Sequence, residues 1–163
     1  MKKMKALIKL IEKIYLKSAD NKVYVDALTG CRTYAYYEDI MIHKYAHKQV
    51  CVIYVDCDVL KDHNDKYGHE YGNDLLRYIA EDLISLPGVM DVCRMGGDEF
   101  VAIVEYPFEK GILRTKCYPY ISEKCSFGIF TKLPDETLSF AVNIADQKML
   151  KNKKQRKDAL KNK

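Results

Sequence analysis

The chain has 163 residues, of which 48% are hydrophobic and 31% are charged, and this is ordinary usage for a globular protein. A domain of this size buries enough apolar surface to fold without disulfides or a metal, and no apolar run approaches the ~20 residues of a membrane span. Composition therefore excludes collagen-like, mucin-like, transmembrane and wholly disordered proteins.

The formal net charge of +4 is distributed unevenly along the chain. Residues 1–20 carry six lysines and two acidic residues, and residues 148–163 carry eight basic residues and one aspartate. The part between them carries 13 basic and 20 acidic residues. An acidic body with basic ends is unlike a general nucleic-acid surface and fits a cation site in the middle of the chain. We therefore expect no nucleic-acid partner.

Residues 2–18 are predicted to form an amphipathic helix. Apolar side chains recur at helical spacing from Met4 to Ile14, and lysines occupy the opposite face. Two uses are open for such a helix: packing on its own domain or in a short dimer stalk, and binding to a membrane surface. No secretory signal or stable membrane insertion is expected, so we predict a cytoplasmic protein with reduced, buried cysteines.

The next elements predicted are a turn, a helix, a strand and an interrupted helix. A polar turn at 26–30 precedes a helix over 33–48. The nearly continuous apolar run at 49–55 predicts a buried central strand. A second helical pattern begins near Leu60 and is interrupted by glycines. The interruptions are expected around Gly68 and Gly72.

The second half of the chain predicts a hairpin and one further strand and helix. Short strands at 89–94 and 100–105 flank a tight turn at 95–99, which supplies glycine where a positive φ is needed. The remaining predicted elements are a weakly helical segment at 106–123, a strand at 125–131 and a helix that begins near Asp135 as N-cap. This order predicts an α+β fold, a ferredoxin-like βαββαβ palm with a mostly antiparallel sheet backed by helices.

Four carboxylates fall where the predicted strands would bring them together. Asp56 and Asp58 follow the buried strand, and Asp98 and Glu99 lie in the hairpin turn. Like charges this close repel one another, so the arrangement is favoured when divalent cations bind there. Oxygen ligands beside a glycine-rich backbone favour Mg²⁺ or Mn²⁺ that holds phosphates. For the hairpin alone, an acidic turn that is merely solvated is the alternative.

Five blocks, in the right order over about residues 24–157, resemble the GGDEF domain family. Gly96 to Phe100 spells the whole five-residue signature, and Arg94 precedes it as in the family's R-x-GGDEF. The other blocks are 26–30 for D-x-L-T-G, 56–69 for D-x-D-x-F-K-x-x-N-D-x-x-G-H, 126–128 for S-x-G and 145–153 for parts of A-D-x-A-M-Y-x-A-K.

This resemblance implies a diguanylate cyclase, which joins two GTP molecules into cyclic di-GMP and releases pyrophosphate. Each domain of the family holds one nucleotide, so a homodimer is implied, with two Mg²⁺ or Mn²⁺ ions per active site. The predicted organisation is an N-terminal basic amphipathic helix at 1–20, a catalytic domain at 21–157 and a basic tail at 158–163.

The family's site residues carry over position by position. Asp56 and Glu99, with the main-chain carbonyl of Cys57, are implied metal ligands. Asp98 is implied to assist deprotonation of the 3′-hydroxyl or to share a metal. The glycines Gly96 and Gly97 would make room for ribose and phosphate. The implied substrate-binding residues are Asn64 and Asn73 for the base, Lys61 and Lys153 for the phosphates, and Asp65.

Two features of the sequence, at three positions, depart from the family pattern. Asn73 stands where the family has an aspartate that accepts from guanine N1–H and N2–H. Asparagine offers one acceptor and one donor group, so it can pair with guanine or with adenine. We therefore expect GTP as the main substrate, with selectivity relaxed toward ATP. Pro87 and Met90 replace the family's R-x-x-D product-inhibition pair, so no such allosteric site is expected.

Two other functions remain open from the sequence. The first is a nucleotide-binding receptor without turnover, in which Asn73 and the altered blocks mark lost catalysis. The second is an interaction module that uses the basic ends, with a vestigial pocket.

Overall fold

The computed structural model describes residues 24–161 of the chain. The helix predicted at 2–18 and the last two residues of the predicted tail lie outside the described residues. The elements are β1 (Arg32–Thr33), α1 (residues 34–44), β2 (Val50–Cys57), α2 (Leu60–Tyr67), α3 (His69–Ile84), β3 (Val89–Gly96), β4 (Glu99–Glu105), a 3₁₀ turn (Lys110–Arg114), α4 (Pro119–Lys124), β5 (Cys125–Lys132) and α5 (Leu138–Lys161).

The five strands form one mixed sheet in the order β1-β3-β4-β2-β5. β1 pairs in parallel with β3, and the other three pairs are antiparallel. From β2 onward, the chain order of strand, helices, hairpin, helix and strand is the predicted βαββαβ palm. The α+β prediction is therefore confirmed, and the short edge strand β1 is an addition that the sequence pattern did not indicate.

The central strand β2 separates two apolar clusters. Its odd-numbered residues from 51 to 57 pack under α3 and α4, and its even-numbered residues from 50 to 54 pack under α1 and α5. This follows from the two-residue repeat of a strand, in which successive side chains point to opposite faces. Asp56 continues the even-numbered set, so its side chain points to the face that α5 covers.

Helix α1 is shorter than the helix predicted over 33–48. Thr33 pairs with Arg94 in the sheet, and its hydroxyl accepts from the backbone N–H of Tyr36 at 3.4 Å, which makes Thr33 the N-cap. The middle of the helix, Tyr37–Met41, is π-helical and is flanked by single α-turns. Sheet pairing therefore removes the first residue of the predicted helix, and Tyr45 ends it.

Two predictions at helix ends were wrong. Gly68 separates α2 from α3 with φ of +88°, as predicted, but Gly72 lies inside α3 without interrupting it. The last helix begins at Leu138 because Thr137 acts as its cap: the Thr137 hydroxyl accepts from the backbone N–H of Phe140 at 3.1 Å. Asp135 is therefore not the N-cap.

All six cysteines are free, and five are buried; Cys117 is exposed. No helix in the described part of the chain is long and apolar enough to cross a membrane.

Candidate active site

The turn between β3 and β4 is open to solvent. Gly97 adopts φ of +47°, the left-handed region that glycine enters without strain. A Cβ atom added at Gly96 or Gly97 would meet no other atom within 4 Å. The turn therefore borders open space in which a ligand could approach the backbone.

Arg94 holds this turn in place. Its Nε and Nη2 atoms donate to the carbonyl oxygen of Gly97 at 3.0 and 2.7 Å, and its Nη1 atom donates to both carboxylate oxygens of Asp26 at 3.1 and 3.2 Å. Burial opposes the charge of Asp26, but hydrogen bonds from Thr29 and from Arg94 outweigh it and lower the pKa of Asp26. In the sequence, Arg94 and Asp26 were only two residues that match the family's motifs. In the structure, their ion pair connects the two motifs that contain them.

Three predicted site carboxylates meet at the ends of β2 and β4. Asp56 lies directly opposite Glu99 in the antiparallel register, and the two residues share one face of the sheet. The backbone N–H of Cys57 donates to the carbonyl oxygen of Asp98 at 3.2 Å, which fixes the hairpin against the end of β2. Asp56 is 7% exposed, so its charge is poorly solvated.

The carboxylates at this site perturb one another. Burial raises the pKa of Asp98, and the negative charge of Asp56 raises it further. Burial also raises the pKa of Glu99; a hydrogen bond with Tyr54 opposes this, whereas the charges of Asp56 and Asp98 add to it. The site therefore holds more negative charge than its own groups neutralise.

Asp146 on α5 belongs to the same charged group. Its pKa is raised by burial and by the charge of Asp56. Sequence reasoning assigned Asp146 no role, although it is the acidic residue of the matched block 145–153. Its place in that block was the signal that could have identified it.

Lys153 supplies the positive charge nearest to Asp56. Its Nζ atom lies 2.5 Å from Asp56 Oδ1 and 4.0 Å from Asp58 Oδ1. Burial opposes the charge of Lys153, but the hydrogen bond and charge of Asp56 outweigh it, so the pKa of Lys153 is raised. The predicted phosphate-binding lysine is thus paired with the predicted metal-ligating aspartate.

The donor set suits a hard divalent cation. Carboxylate and carbonyl oxygens are the ligands that Mg²⁺ and Mn²⁺ prefer. Burial and neighbouring negative charges both raise the pKa values of Asp98 and Glu99, and a bound cation would oppose both effects. Within residues 24–161, however, no three His, Cys, Asp or Glu side chains stand close enough together to hold a metal. The ammonium of Lys153 takes one oxygen of Asp56 instead.

Asp58 has polar partners besides Lys153. Ser126 Oγ donates to both of its oxygens at 2.9 and 2.7 Å, and Arg156 Nε lies 3.1 Å from Oδ2. Arg156 also donates to the carbonyl oxygens of Ser122 and Glu123. Asp58, the fourth carboxylate of the predicted cluster, thus shares Lys153 with Asp56 and also ties the end of β2 to β5, α4 and α5.

Close contact between β5 and α5 brings Lys153 to this position. A Cβ atom added at Gly128 would lie 2.0 Å from the carbonyl oxygen of Ala145 and 2.4 Å from the backbone N of Met149. Only glycine allows that approach. In the S-x-G block, Ser126 thus supplies the hydroxyl that binds Asp58, and Gly128 leaves the space that α5 occupies.

The residues predicted to bind the base lie on α2 and α3. Asn64 Oδ1 is buried and has no hydrogen-bond partner among the residues that the structure describes. A Cβ atom at Gly72 would lie 1.8 Å from that oxygen, so the glycine provides its space. Asn73 is half-buried on the next position, whereas Lys61 and Asp65 are exposed on α2. A buried acceptor without a partner is costly, and a ligand N–H would satisfy it.

A cavity of about 450 Å³ opens beside Asp58, at the start of α2. Its lining residues are Asp58, Val59, Asp62, Glu123, Arg156, Lys157 and Ala159. Arg156 and Lys157 supply positive charge to this lining, but three acidic residues share it and Arg156 is already paired with Asp58.

Comparison with known proteins identifies relatives for this arrangement. The family model described as "Diguanylate cyclase, GGDEF domain" matches residues 23–117. The chain is 39% identical over 87 residues to diguanylate cyclase DgcS of Shewanella oneidensis, which covers 49% of this chain and 29% of DgcS. It is 28% identical over 115 residues to diguanylate cyclase DosC of Escherichia coli, which covers 67% of this chain and 25% of DosC. The matched region is thus about a quarter to a third of those relatives.

Solved structures share the fold. The GGDEF domain of DgcB from Caulobacter crescentus, determined in complex with c-di-GMP, superposes with a TM-score of 0.66 at 21% identity, over 81% of this chain and 88% of that domain. At this identity the likeness concerns the fold, and it extends over a larger share of the chain than the family model matches.

Proposed function

Because the chain belongs to the GGDEF domain family, we propose that it is a cyclic dinucleotide synthase. The proposed reaction is that of a diguanylate cyclase, which condenses two GTP molecules to cyclic di-GMP and releases pyrophosphate. The observation that carries this proposal is the pairing of Asp56 with Glu99 beside Asp98, in a charge-excess site next to an open glycine turn. Such a site is suited to a metal-bound nucleotide.

The proposed metal ligands are Asp56, Glu99, Asp98 and the main-chain carbonyl of Cys57. Two Mg²⁺ or Mn²⁺ ions bound there would supply a lowered pKa for the attacking 3′-hydroxyl and charge neutralisation for the leaving pyrophosphate. Burial and the charges of Asp56 and Asp98 raise the pKa of Glu99, and a cation bound beside these carboxylates would offset both effects.

The protein's own side chains have separate roles in this proposal. Asp98 lies at the turn with a raised pKa, which favours it as acceptor of the 3′-hydroxyl proton. Gly96 and Gly97 leave room for ribose and phosphate. Lys153 would exchange its bond with Asp56 for a bond to a phosphate oxygen, and Lys61 at the start of α2 would bind the same group.

The base would lie against α2 and α3. Asn64 Oδ1 is the buried acceptor that a base N–H would satisfy. Asn73 follows Gly72 on the same wall, and Asp65 completes the proposed substrate-binding set. GTP is the proposed main substrate, and the amide of Asn73 is the reason to test ATP.

A homodimer completes the proposed reaction. One chain presents one set of nucleotide-binding residues, and each 3′-hydroxyl must attack the α-phosphorus of the other nucleotide. Two chains that face each other across a twofold axis satisfy this requirement. The dimer, the cytoplasmic location and the absence of a nucleic-acid partner or a stable membrane insertion remain predictions.

A second candidate function is nucleotide binding without turnover. One observation favours it: Lys153 already neutralises Asp56, and the described residues contain no cluster of three or more His, Cys, Asp or Glu side chains placed to hold a metal. In this case a nucleotide would bind at Asn64 and Lys153, and no product would form.

Product analysis by mass spectrometry separates these two functions. Purified protein at high concentration, with Mg²⁺ or Mn²⁺, receives GTP, ATP or both, beside a Glu99→Ala control. A cyclic dinucleotide that is absent from the control establishes the synthase, and its mass identifies the bases used. Nucleotide binding without any product would establish the receptor and contradict the proposal.

A further inference from the structure

We propose that Glu70 is a specificity-determining residue, which orients the side-chain amide of Asn73 so that the site presents two acceptor oxygens and prefers guanine. This inference rests on the proposed function, because it concerns the same base-binding wall. It differs from the expectation from sequence alone, in which Asn73 can pair with either purine and the preference for GTP is relaxed toward ATP.

Four side chains on α3 form a connected chain of contacts. Glu70 Oε2 accepts from Asn73 Nδ2 at 3.4 Å, and Glu70 Oε1 accepts from Arg77 Nη1 at 3.4 Å. Arg77 is itself fixed by Asp74, whose Oδ1 atom lies 2.5 Å from the same Nη1. The spacing of these residues places them on one face of the helix. Asp74 and Arg77 therefore hold Glu70, and Glu70 holds Asn73.

A carboxylate partner selects one end of an amide. Glu70 can only accept hydrogen bonds, so the NH₂ group of Asn73 must face it. The orientation of an asparagine amide follows from its hydrogen-bond partners. Asn73 Oδ1 is then directed away from Glu70 and is free for a ligand, as one oxygen of an aspartate would be.

A second acceptor lies on the same wall. Asn64 Oδ1 is buried and unpartnered among the described residues, and it lies against Gly72, the residue before Asn73. Guanine presents two neighbouring donors, N1–H and N2–H₂, on one edge, whereas adenine presents N6–H₂ beside the N1 lone pair. Two acceptor oxygens match guanine, and they would leave the N1 lone pair of adenine opposite an oxygen.

The size of the effect follows from the exposure of the contacts. The side chain of Glu70 is 79% exposed, and both of its hydrogen bonds are long. The free energy by which Glu70 favours one orientation of the Asn73 amide should therefore lie at the lower end of the range for hydrogen bonds. We expect removal of Glu70 to change the preference for guanine over adenine by about 3- to 10-fold.

The test compares binding of non-hydrolysable GTP and ATP analogues, so that it does not depend on turnover. The variants are Glu70→Ala, Asn73→Asp, the two combined, and Glu81→Ala as control. Glu81 is an exposed glutamate on the same helix, so its removal matches the change in charge. Calorimetric titration gives the ratio of the two affinities for each variant.

Glu70→Ala should lower the GTP-to-ATP affinity ratio about 3- to 10-fold, and Glu81→Ala should leave it unchanged. In the Asn73→Asp background, where both side-chain oxygens accept, Glu70→Ala should have no effect on the ratio. A ratio that does not respond to Glu70→Ala, or that responds equally in both backgrounds, would overturn the inference, whereas tight binding of the GTP analogue in the same titrations would leave the nucleotide-binding site of the proposed function standing. If neither analogue binds the unmodified chain, both proposals are overturned.

Discussion

Lys153 on α5 and Asp56 on β2 neutralise each other on one face of the sheet: Nζ of the lysine lies 2.5 Å from Oδ1 of the aspartate, although the residues are 97 positions apart. In the proposed reaction each has a different partner, a phosphate for the lysine and a metal for the aspartate. The lysine therefore occupies the position of a cation until substrate arrives. Binding of metal and nucleotide has to separate the pair.

This competition makes the Lys153→Met variant informative. Without the ammonium, Asp56 keeps both oxygens for a cation, so affinity for Mn²⁺ in the absence of nucleotide should rise. Affinity for a non-hydrolysable GTP analogue should fall about 10-fold or more, because a charge-assisted hydrogen bond to phosphate is lost. Electron paramagnetic resonance measures the Mn²⁺ affinity, and calorimetry measures the nucleotide affinity. Lys154→Met, at an exposed neighbour, is the control; unchanged Mn²⁺ affinity in Lys153→Met would contradict the competition.

The Gly72→Ala variant should separate stability from nucleotide binding. The new Cβ atom would overlap with Asn64 Oδ1, which lies at the end of a side chain that can turn away. Alanine in a helix interior is favoured over glycine by about 1 kcal/mol, so the free energy of unfolding should stay close to its original value. Nucleotide affinity should fall about 10-fold, since the buried acceptor is displaced.

Asn64→Ala should cause a similar loss of nucleotide affinity, and the double variant should cause no further loss, because both changes remove the same contact. Gly111→Ala serves as control, since the nearest atom to its new Cβ is a glutamate oxygen at 3.8 Å. Additive losses in the double variant would show that Gly72 acts by another route.

The Gly128→Ala variant, unlike Gly72→Ala, should lower the free energy of unfolding. Here the new Cβ atom meets backbone atoms of α5, the Ala145 carbonyl and the Met149 nitrogen, which cannot rotate away. Helix α5 must then move off the sheet, at a cost of about 1–3 kcal/mol in the free energy of unfolding. Urea denaturation measures this cost, with Gly111→Ala again as control. Original stability in Gly128→Ala would mean that α5 does not pack on β5 as described.

The pH dependence of stability should report the charge excess at Glu99. Its pKa is raised by burial and by neighbouring carboxylates, so the folded protein binds this proton more tightly than the unfolded chain does. Glu99 therefore lowers stability above its raised pKa, and this penalty is lost as the pH falls toward the ordinary value of 4.5. Without divalent metal, Glu99→Gln should be more stable than the original chain at neutral pH, and the difference should vanish on acidification.

Denaturation curves of both proteins at several pH values test this prediction. The comparison uses the difference between them, because Asp26, whose pKa is lowered, loses stabilisation on acidification in both. Addition of Mg²⁺ should reverse the order at neutral pH. A difference that does not depend on pH would refute the raised pKa of Glu99.

The local elements and the family could be predicted from the sequence. The apolar run of β2, the break at Gly68 and the hairpin turn at Gly97 depend on residue pattern and on the φ angle of glycine, which are local properties. Asp56, Asp98 and Glu99 were expected to meet because strand pairing follows from that pattern. The same reasoning failed at Thr137 and at β1, where more than one residue could cap or pair and local preference did not decide.

Contacts between distant segments could be decided only by the tertiary structure. The pattern shows that Lys153 is basic and helical, but packing of α5 on β5 through Gly128 sets its distance to Asp56. Likewise, Gly72 looked like a helix break and instead makes room for Asn64. The sequence by itself determined which chemical groups are available and in which local elements they lie. Electrostatic and hydrogen-bond energies depend on separation through space, and for residues far apart in the chain only the packed fold determines that separation.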